Sequence, residues 1–167
     1  MSIVACKVSE KEIEISSDSI CVRGYTQEKS GERMKFSKLV QINNMIIGGV
    51  GLSAENGLMQ LFAATHQPLS PTEDALLSFI AEFSEWKKKR TEKHDIENNF
   101  IIAFSGHAFR LDGFSIKEIL TYDSIGSGKD FALAALYLGH DTIKAVETAC
   151  ELSIYCEKPI ITFRSKK

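Results

Sequence analysis

The chain has 167 residues, a formal net charge of −2 at pH 7, an apolar fraction of 44% and a charged fraction of 25%. These values are typical of a globular protein that buries a core without disulfides or metals. A sequence pI near 6.1 excludes a strongly basic nucleic-acid-binding protein. The longest apolar run, Met45 to Leu52, is too short to span a bilayer, and no signal-peptide pattern opens the chain. We expect a single domain over residues 1–167, located in the cytoplasm.

The first part of the chain predicts antiparallel strands. Residues 2–8 are mostly apolar and predict a buried strand, and Glu12 to Ile15 alternates polar with apolar residues, as a half-buried strand does. The polar segment from Ser9 to Lys11 separates the two and predicts a hairpin. A loop is expected over residues 19–35, with a short strand at 20–22, and further strands at 38–42 and 45–50.

After Gly51 the apolar period changes to that of helices. Ser53 is predicted to cap a first helix that runs toward His66. The tetrapeptide from Ser70 to Glu73 has the form of a capping box, with Pro71 as the first helical residue of a second helix. The cations from Lys87 to Arg90 then fall at its C-terminal end, so we predict a solvated helix end and not a nucleic-acid patch.

The second half repeats the same order of strands followed by helices. Strands are predicted at residues 100–104, 108–111, 116–121 and 159–163, helices at 131–138 and, capped by Asp141, at 142–155, and a basic tail at 164–167. Strict alternation of strand and helix is absent. Runs segregated in this way favour an α+β fold in which two facing antiparallel sheets are flanked by helix pairs, a four-layer αββα sandwich.

The opening residues contain a candidate nucleophile. Ser2 follows the initiator Met1 and begins a predicted strand, and its small side chain is the condition under which an initiator methionine is normally removed. A free α-amine titrates near pH ~8, so a terminal serine supplies a hydroxyl nucleophile and its own base. The simpler interpretation is that many cytosolic proteins begin with Met-Ser and carry no such chemistry.

Two glycine-rich stretches favour a nucleotide site only weakly. Residues 49–54 follow a strand and open a helix, but the flanking strands are predicted to be antiparallel, and a dinucleotide fold requires a parallel sheet. Residues 126–129 resemble the end of a phosphate-binding loop. However, Asp123 stands where the first glycine belongs, and Asp130 replaces the magnesium-binding hydroxyl residue. A nucleotide-binding module is therefore a weak hypothesis for the function of this chain.

The cysteines and histidines predict no cofactor and no metal site. Cysteines 6, 21, 150 and 156 form no C-x-x-C pair, and no histidine is spaced from them as in a zinc site. We predict reduced structural thiols and assign no role to the four histidines.

Six segments together carry a resemblance that none carries alone. They are the opening Ser2-Ile3-Val4-Ala5, Asp18 at the end of the second strand, Lys38 before Leu-Val-Gln-Ile, and residues 46–51, 125–128 and 149–155. In this order and spacing they resemble proteasome β-subunit-type N-terminal-nucleophile hydrolases over essentially the whole chain. The chain is most similar to the bacterial peptidase subunit of HslV or ClpQ type, which works with an AAA+ unfoldase.

The resemblance implies a role for five residues. Ser2 stands where the family has its N-terminal threonine, Lys38 lowers the proton affinity of the nucleophile, and Asp18 holds Lys38 in place. The backbone N–H of Gly49 forms the oxyanion hole, and Ser127 hydrogen-bonds near the α-amine. The resemblance thus predicts a catalytic set of Ser2, Asp18, Lys38, Gly49 and Ser127.

Two functions follow as expectations. The first is a peptidase that hydrolyses amide bonds of peptides or unfolded polypeptides, works as a homo-oligomeric ring and has an AAA+ unfoldase as a further partner. The second is a catalytically inactive relative that retains Met1 and serves as a structural or binding subunit. Neither involves nucleic acid or a membrane.

Overall fold

The computed structural model of the chain describes residues 2–28 and 37–167. These residues form eleven strands and four helices. The strands are β1 (Ile3–Val8), β2 (Glu12–Ser17), β3 (Cys21–Arg23), β4 (Thr26–Glu28), β5 (Leu39–Ile42), β6 (Met45–Val50), β7 (Asn99–Phe104), β8 (His107–Asp112), β9 (Ser115–Glu118), β10 (Tyr122–Gly126) and β11 (Ile161–Lys166). The helices are α1 (Ser53–Ala63), α2 (Glu73–Thr91), α3 (Lys129–Tyr137) and α4 (Thr142–Leu152).

A four-stranded sheet of order β10-β1-β2-β11 holds the N-terminus. All its neighbours are antiparallel, and Val4 lies opposite Ser17 in the β1–β2 pair. The predicted hairpin is confirmed: the Ser9 hydroxyl accepts the Glu12 N–H at 3.0 Å and closes the turn. Strand β10 was not predicted, because Tyr122–Gly126 has no apolar alternation and becomes a strand only through its pairing with β1.

A five-stranded antiparallel sheet of order β5-β6-β7-β8-β9 faces the first. Strand β6 lies between β5 and β7, so the strand that precedes residues 49–54 is antiparallel to both neighbours. This pairing lacks the parallel strands of a dinucleotide site and argues against that hypothesis.

Three apolar layers hold the sheets and helices together, and they confirm the predicted αββα sandwich. The layer between the sheets includes Val4, Ile15, Ile46 and Ile101. Helices α1 and α2 bury Phe62, Phe79 and Phe83 against Phe100 on the outer face of the five-stranded sheet. Helices α3 and α4 bury Ala132, Leu136 and Val146 against Ile3 and Ala5 on the opposite side.

Both predicted caps of the first helix pair are shifted. Helix α1 has Leu52 at its N-cap with no side-chain cap, and Ser53 is its first helical residue. In α2 the extended residue Thr72 is the cap, and its hydroxyl accepts the Ala75 N–H at 3.3 Å. Pro71 therefore precedes the helix, because Thr72 rather than Ser70 has the hydroxyl within reach of the first turn.

The prediction of a wholly solvated cationic helix end is wrong for Lys87. This side chain is buried and its Nζ lies 3.1 Å from Glu55 Oε2 on α1, while Lys88 and Lys89 are exposed. Arg90 stacks over the Trp86 ring at 3.6 Å. The ion pair ties α1 to α2.

The C-terminal segment also differs from the prediction. Helix α4 ends at Leu152, and β11 extends through most of the predicted basic tail. Arg164 lies in that strand and donates to Glu14 Oε2 at 2.7 Å, which fixes β11 beside β2.

The predicted loop over residues 19–35 contains more strand than expected, since β3 and β4 pair as a hairpin. Residues 29–35 of that predicted loop lie outside the described residues. Among the residues that are described, no helix has the length and apolarity to cross a membrane.

Candidate active site

Asp18 is the centre of a buried polar cluster at the start of β1. It follows β2 directly and its side chain is fully buried. Its Oδ1 accepts the Ile3 N–H and the Lys38 ammonium, each at 2.9 Å. Its Oδ2 accepts the N–H groups of Ile20 at 3.1 Å and Glu157 at 3.2 Å. Four donors thus satisfy the Asp18 carboxylate. Through it, Lys38 is linked to Ile3, the residue after Ser2.

Lys38 precedes β5 and leaves only 14% of its side chain exposed. Burial lowers the pKa of its ammonium, while the charge and hydrogen bond of Asp18 oppose that shift. Lys38 therefore releases its proton at lower pH than an exposed lysine does. Of the five predicted catalytic residues, Asp18 and Lys38 are the two whose side chains are in direct contact.

Ser2 lies at the edge of this cluster, with only 3% of its surface exposed. Its carbonyl oxygen accepts the Gly128 N–H at 3.3 Å. Gly126 packs so closely that an added Cβ would lie 2.3 Å from the same oxygen, and a Cβ on Gly128 would lie 2.6 Å from Cys156 Sγ. Close packing around Ser2 therefore accounts for the glycines that resemble a phosphate-binding loop.

The backbone of Ser2 is strained while it is bonded to the preceding residue. Its φ is +146°, which side chains of L residues rarely adopt, at a cost of about 1–3 kcal/mol. The φ of Ser2 is defined with the carbonyl carbon of Met1, so this strain is relieved once the Met1–Ser2 peptide bond is cleaved. Met1 lies outside the described residues, and its removal stays a prediction.

Gly49 lies on β6, which crosses directly over β1. A Cβ on its neighbour Gly48 would lie 2.7 Å from Val4 Cγ1. The N–H of Gly49 donates to the Lys38 carbonyl at 2.8 Å, as a strand residue does. The oxyanion role of Gly49 stays a prediction, and the geometry adds a condition: this hydrogen bond has to open or be shared when a substrate carbonyl enters.

Ser127 is exposed on the turn between β10 and α3. Within the described residues, no hydrogen bond joins the Ser2 hydroxyl to Lys38 or to Ser127. A cavity of about 330 Å³ opens beside Ser127 and is lined by charges of both signs, among them Arg110, Asp112 and Lys129. Of the five predicted site residues only Ser127 lines this cavity, which has room for a polar ligand.

Two cysteines near Asp18 were not predicted to lie there, since no spacing connects them to it. Burial, and next the charge of Asp18, raise the pKa of Cys156 to about 11 and that of Cys150 to about 12. Both are free thiols. They stay protonated near neutral pH, so neither competes with a hydroxyl as the nucleophile.

Gly51 provides a test of the packing beside the site. Its φ is +131° and an added Cβ would lie 2.1 Å from Asn98 Oδ1. We expect Gly51→Ala to lower the free energy of unfolding by about 3 kcal/mol, because strain and overpacking add. Gly113→Ala is the matched control, since Gly113 has φ +57° but no atom within 4 Å of an added Cβ, and should cost about 1 kcal/mol. Equal losses in urea denaturation would contradict this account.

The fold is similar to that of several solved structures at low sequence identity, of which three are described. BPH from Thiobacillus denitrificans in complex with epoxomicin aligns with a TM-score of 0.88 and 15% identity over 98% of both chains. HslV from Trypanosoma brucei aligns at 0.73 and 20% over 99% of both. Anbu, an ancestral β-subunit from Yersinia bercovieri, aligns at 0.73 and 11% over 97% of this chain and 80% of that one.

No family model and no curated protein matches the sequence. The TM-scores establish the fold, and likeness at identities this low concerns the fold alone. With its two facing antiparallel sheets and four flanking helices, the chain has the fold of the proteasome β-type N-terminal-nucleophile hydrolases.

Proposed function

We propose that the chain is an N-terminal-nucleophile peptidase in which Ser2, exposed as the first residue by removal of Met1, attacks the scissile carbonyl. The observation that carries the proposal is the buried Lys38–Asp18 pair, whose Asp18 Oδ1 also binds the Ile3 N–H. This arrangement sets a lysine with a lowered pKa beside the residue that follows the nucleophile. The shared contact of Asp18 with Lys38 and the Ile3 N–H therefore ties the ion pair to the N-terminus.

The reaction follows from these groups. The α-amine of Ser2 takes the hydroxyl proton as the oxygen bonds to the carbonyl carbon, and the charge of Lys38 stabilises the oxygen. The oxyanion of the tetrahedral intermediate takes the N–H of Gly49 as its donor. When the intermediate collapses, the C–N bond breaks and the leaving amine receives the proton. Water, deprotonated by the same α-amine, then hydrolyses the ester and restores Ser2.

The finer assignments belong to the proposal as well. The substrates are peptides or unfolded polypeptides, and the active form is a homo-oligomeric ring of single-domain subunits with an AAA+ unfoldase as partner. Exposed apolar side chains on and after α3 and α4, namely Tyr137, Leu138, Leu152 and Ile154, support contacts between subunits. The HslV or ClpQ type rests on the sequence resemblance, since the TM-score is higher with BPH than with HslV.

The pH dependence of hydrolysis tests the α-amine of Ser2 and the ammonium of Lys38 together. The rate should rise as the α-amine loses its proton near pH ~8. It should fall again when Lys38 loses its charge, at a pH below that of an exposed lysine because burial lowers the pKa. We expect a bell-shaped kcat/KM profile with a fluorogenic peptide amide from roughly pH 6 to 11. A rate that rises without a descending limb would show that the charge of Lys38 is not required.

The second candidate function is an inactive structural or binding subunit that retains Met1. The engaged Gly49 N–H favours it, because a donor bound to the Lys38 carbonyl is not free for an oxyanion. The two candidates differ in the mature N-terminus. Intact mass spectrometry of the purified protein separates them: a chain that begins at Ser2 supports the peptidase, and one that begins at Met1 supports the inactive subunit.

A further inference from the structure

Two buried asparagines bind the backbone from Gly49 to Leu52. Asn56, on α1, is 8% exposed, and Asn98, just before β7, is 1% exposed. Asn56 Nδ2 donates to the Gly49 carbonyl at 3.0 Å. Asn98 Nδ2 donates to Asn56 Oδ1 at 2.9 Å and joins the two side chains. Buried amides with all these partners hold one geometry, because each unmade bond leaves a buried polar group unsatisfied.

Asn98 also binds both backbone groups of Leu52. Its Oδ1 accepts the Leu52 N–H at 2.6 Å, and its Nδ2 donates to the Leu52 carbonyl at 2.9 Å. The amides approach so closely that only glycine fits opposite them: an added Cβ on Gly49 would lie 2.2 Å from Asn56 Oδ1. The Gly-Val-Gly stretch is thus shaped by two side chains of this chain, which explains it without a bound nucleotide.

An ion pair between α1 and α2 holds the two asparagines in place. The carboxylate of Glu55 accepts the Lys87 ammonium at 3.1 Å and the Glu97 N–H at 3.2 Å. The ion-paired side chains of Glu55 and Lys87 are only 2% and 4% exposed. Glu97 precedes Asn98, so this ion pair fixes the segment from which Asn98 projects. The contacts run without a break from α2 to the Gly49 carbonyl.

We propose that Asn56 and Asn98 are positioning residues that restrain the torsions of Gly49 through its carbonyl, and thereby fix the direction of its N–H, which a substrate oxyanion would share with the Lys38 carbonyl. The inference rests on the proposed function. Glycine lacks a Cβ to restrict its torsions, so the direction of the Gly49 N–H depends on the hydrogen bonds made by the Gly49 backbone. An oxyanion donor is effective when its direction is fixed before the charge develops. A hydrogen bond on the Gly49 carbonyl supplies that restraint from the side of β6 opposite β1.

The test uses Asn56→Ala, with Asn56→Ser as a milder second variant, in the full chain. Ser84→Ala is the matched control: Ser84 is 4% exposed and donates to the His94 carbonyl at 2.6 Å, but it touches none of residues 49–52. Hydrogen exchange of the segment 45–52 is measured by mass spectrometry. We expect roughly tenfold faster exchange in the Asn56 variants and no change there in Ser84→Ala.

Kinetics on a peptide amide supply the second readout. We expect kcat of the Asn56 variants to fall about 10- to 100-fold with KM within about twofold, because the lost orientation matters only in the transition state. Affinity for a peptide boronate, whose adduct is tetrahedral, should fall by the same factor. Ser84→Ala should keep its kcat.

The outcomes separate this inference from the proposed function. Unchanged exchange over 45–52 in the Asn56 variants overturns the positioning role whether or not the protein is active. Faster exchange with unchanged kcat in an active protein overturns its part in catalysis. Faster exchange in the Asn56 variants of a protein whose wild type hydrolyses nothing and begins at Met1 supports the restraint on Gly49 and refutes the peptidase instead.

Discussion

Replacing Ser2 with alanine is expected to remove hydrolysis of a peptide amide, with kcat/KM lower by roughly 10³-fold or more. Alanine is also small, so Met1 is still removed and the α-amine remains, but the attacking oxygen is gone. Ser2→Thr, which keeps a hydroxyl at the same atom, should retain activity within about tenfold. The measurement is kcat/KM for all three proteins, with the melting temperature of each.

The control for this comparison is the N-terminus itself. Intact mass must show that wild type, Ser2→Ala and Ser2→Thr all begin at position 2 before their rates are compared. The Ser2 hydroxyl has no hydrogen bond within the described residues, so stability should change by less than about 1 kcal/mol. Activity of Ser2→Ala close to that of wild type would place the nucleophile elsewhere.

Replacing Lys38 with methionine is the second large effect we expect. Methionine keeps most of the side-chain volume and removes the charge, which should lower kcat/KM by about 10²- to 10⁴-fold. It also leaves Asp18, which is fully buried, without its cation, at a cost of about 3 kcal/mol. The three backbone N–H groups on Asp18 remain and keep the carboxylate partly satisfied. Urea denaturation and kinetics on the same preparation measure both effects.

Arg164→Met is the matched control for Lys38. Arg164 pairs with Glu14, whose side chain is 10% exposed and which also binds the N–H and hydroxyl of Thr142. Its removal should lower stability while kcat/KM stays within about twofold, because the pair lies against α4, away from Ser2. If Lys38→Met and Arg164→Met lose activity only in proportion to stability, Lys38 is a structural residue.

The sequence predicts the parts of the fold that are locally encoded. Alternation and a polar turn predict the β1–β2 hairpin, and Asp141 caps α4 through the Lys144 N–H at 2.7 Å as expected. Strand β10 was missed because its identity comes from pairing with β1, more than a hundred residues away in the chain. Lys87 was misassigned for a related reason, since its partner Glu55 lies on another helix.

The candidate site, too, divides into residues that the sequence predicts and residues whose roles depend on distant partners. The resemblance predicts the Asp18–Lys38 pair, whose members are 20 residues apart, and the structure brings them together. It does not predict that the Gly49 N–H is engaged, because this depends on the register of β5 against β6. Asn56 and Asn98 carry no sequence signal: they are 42 residues apart, and isolated asparagines in a helix or a loop are common.

The measurement that tests the account most directly is intact mass spectrometry of the wild-type protein before and after treatment with a peptide epoxyketone, followed by mapping of the modified residue. An epoxyketone can react with both the hydroxyl and the free α-amine of a terminal residue, so it reports both groups at once. The account predicts a chain that begins at Ser2 and carries one adduct on Ser2. A chain that begins at Met1 and takes up no probe would contradict it.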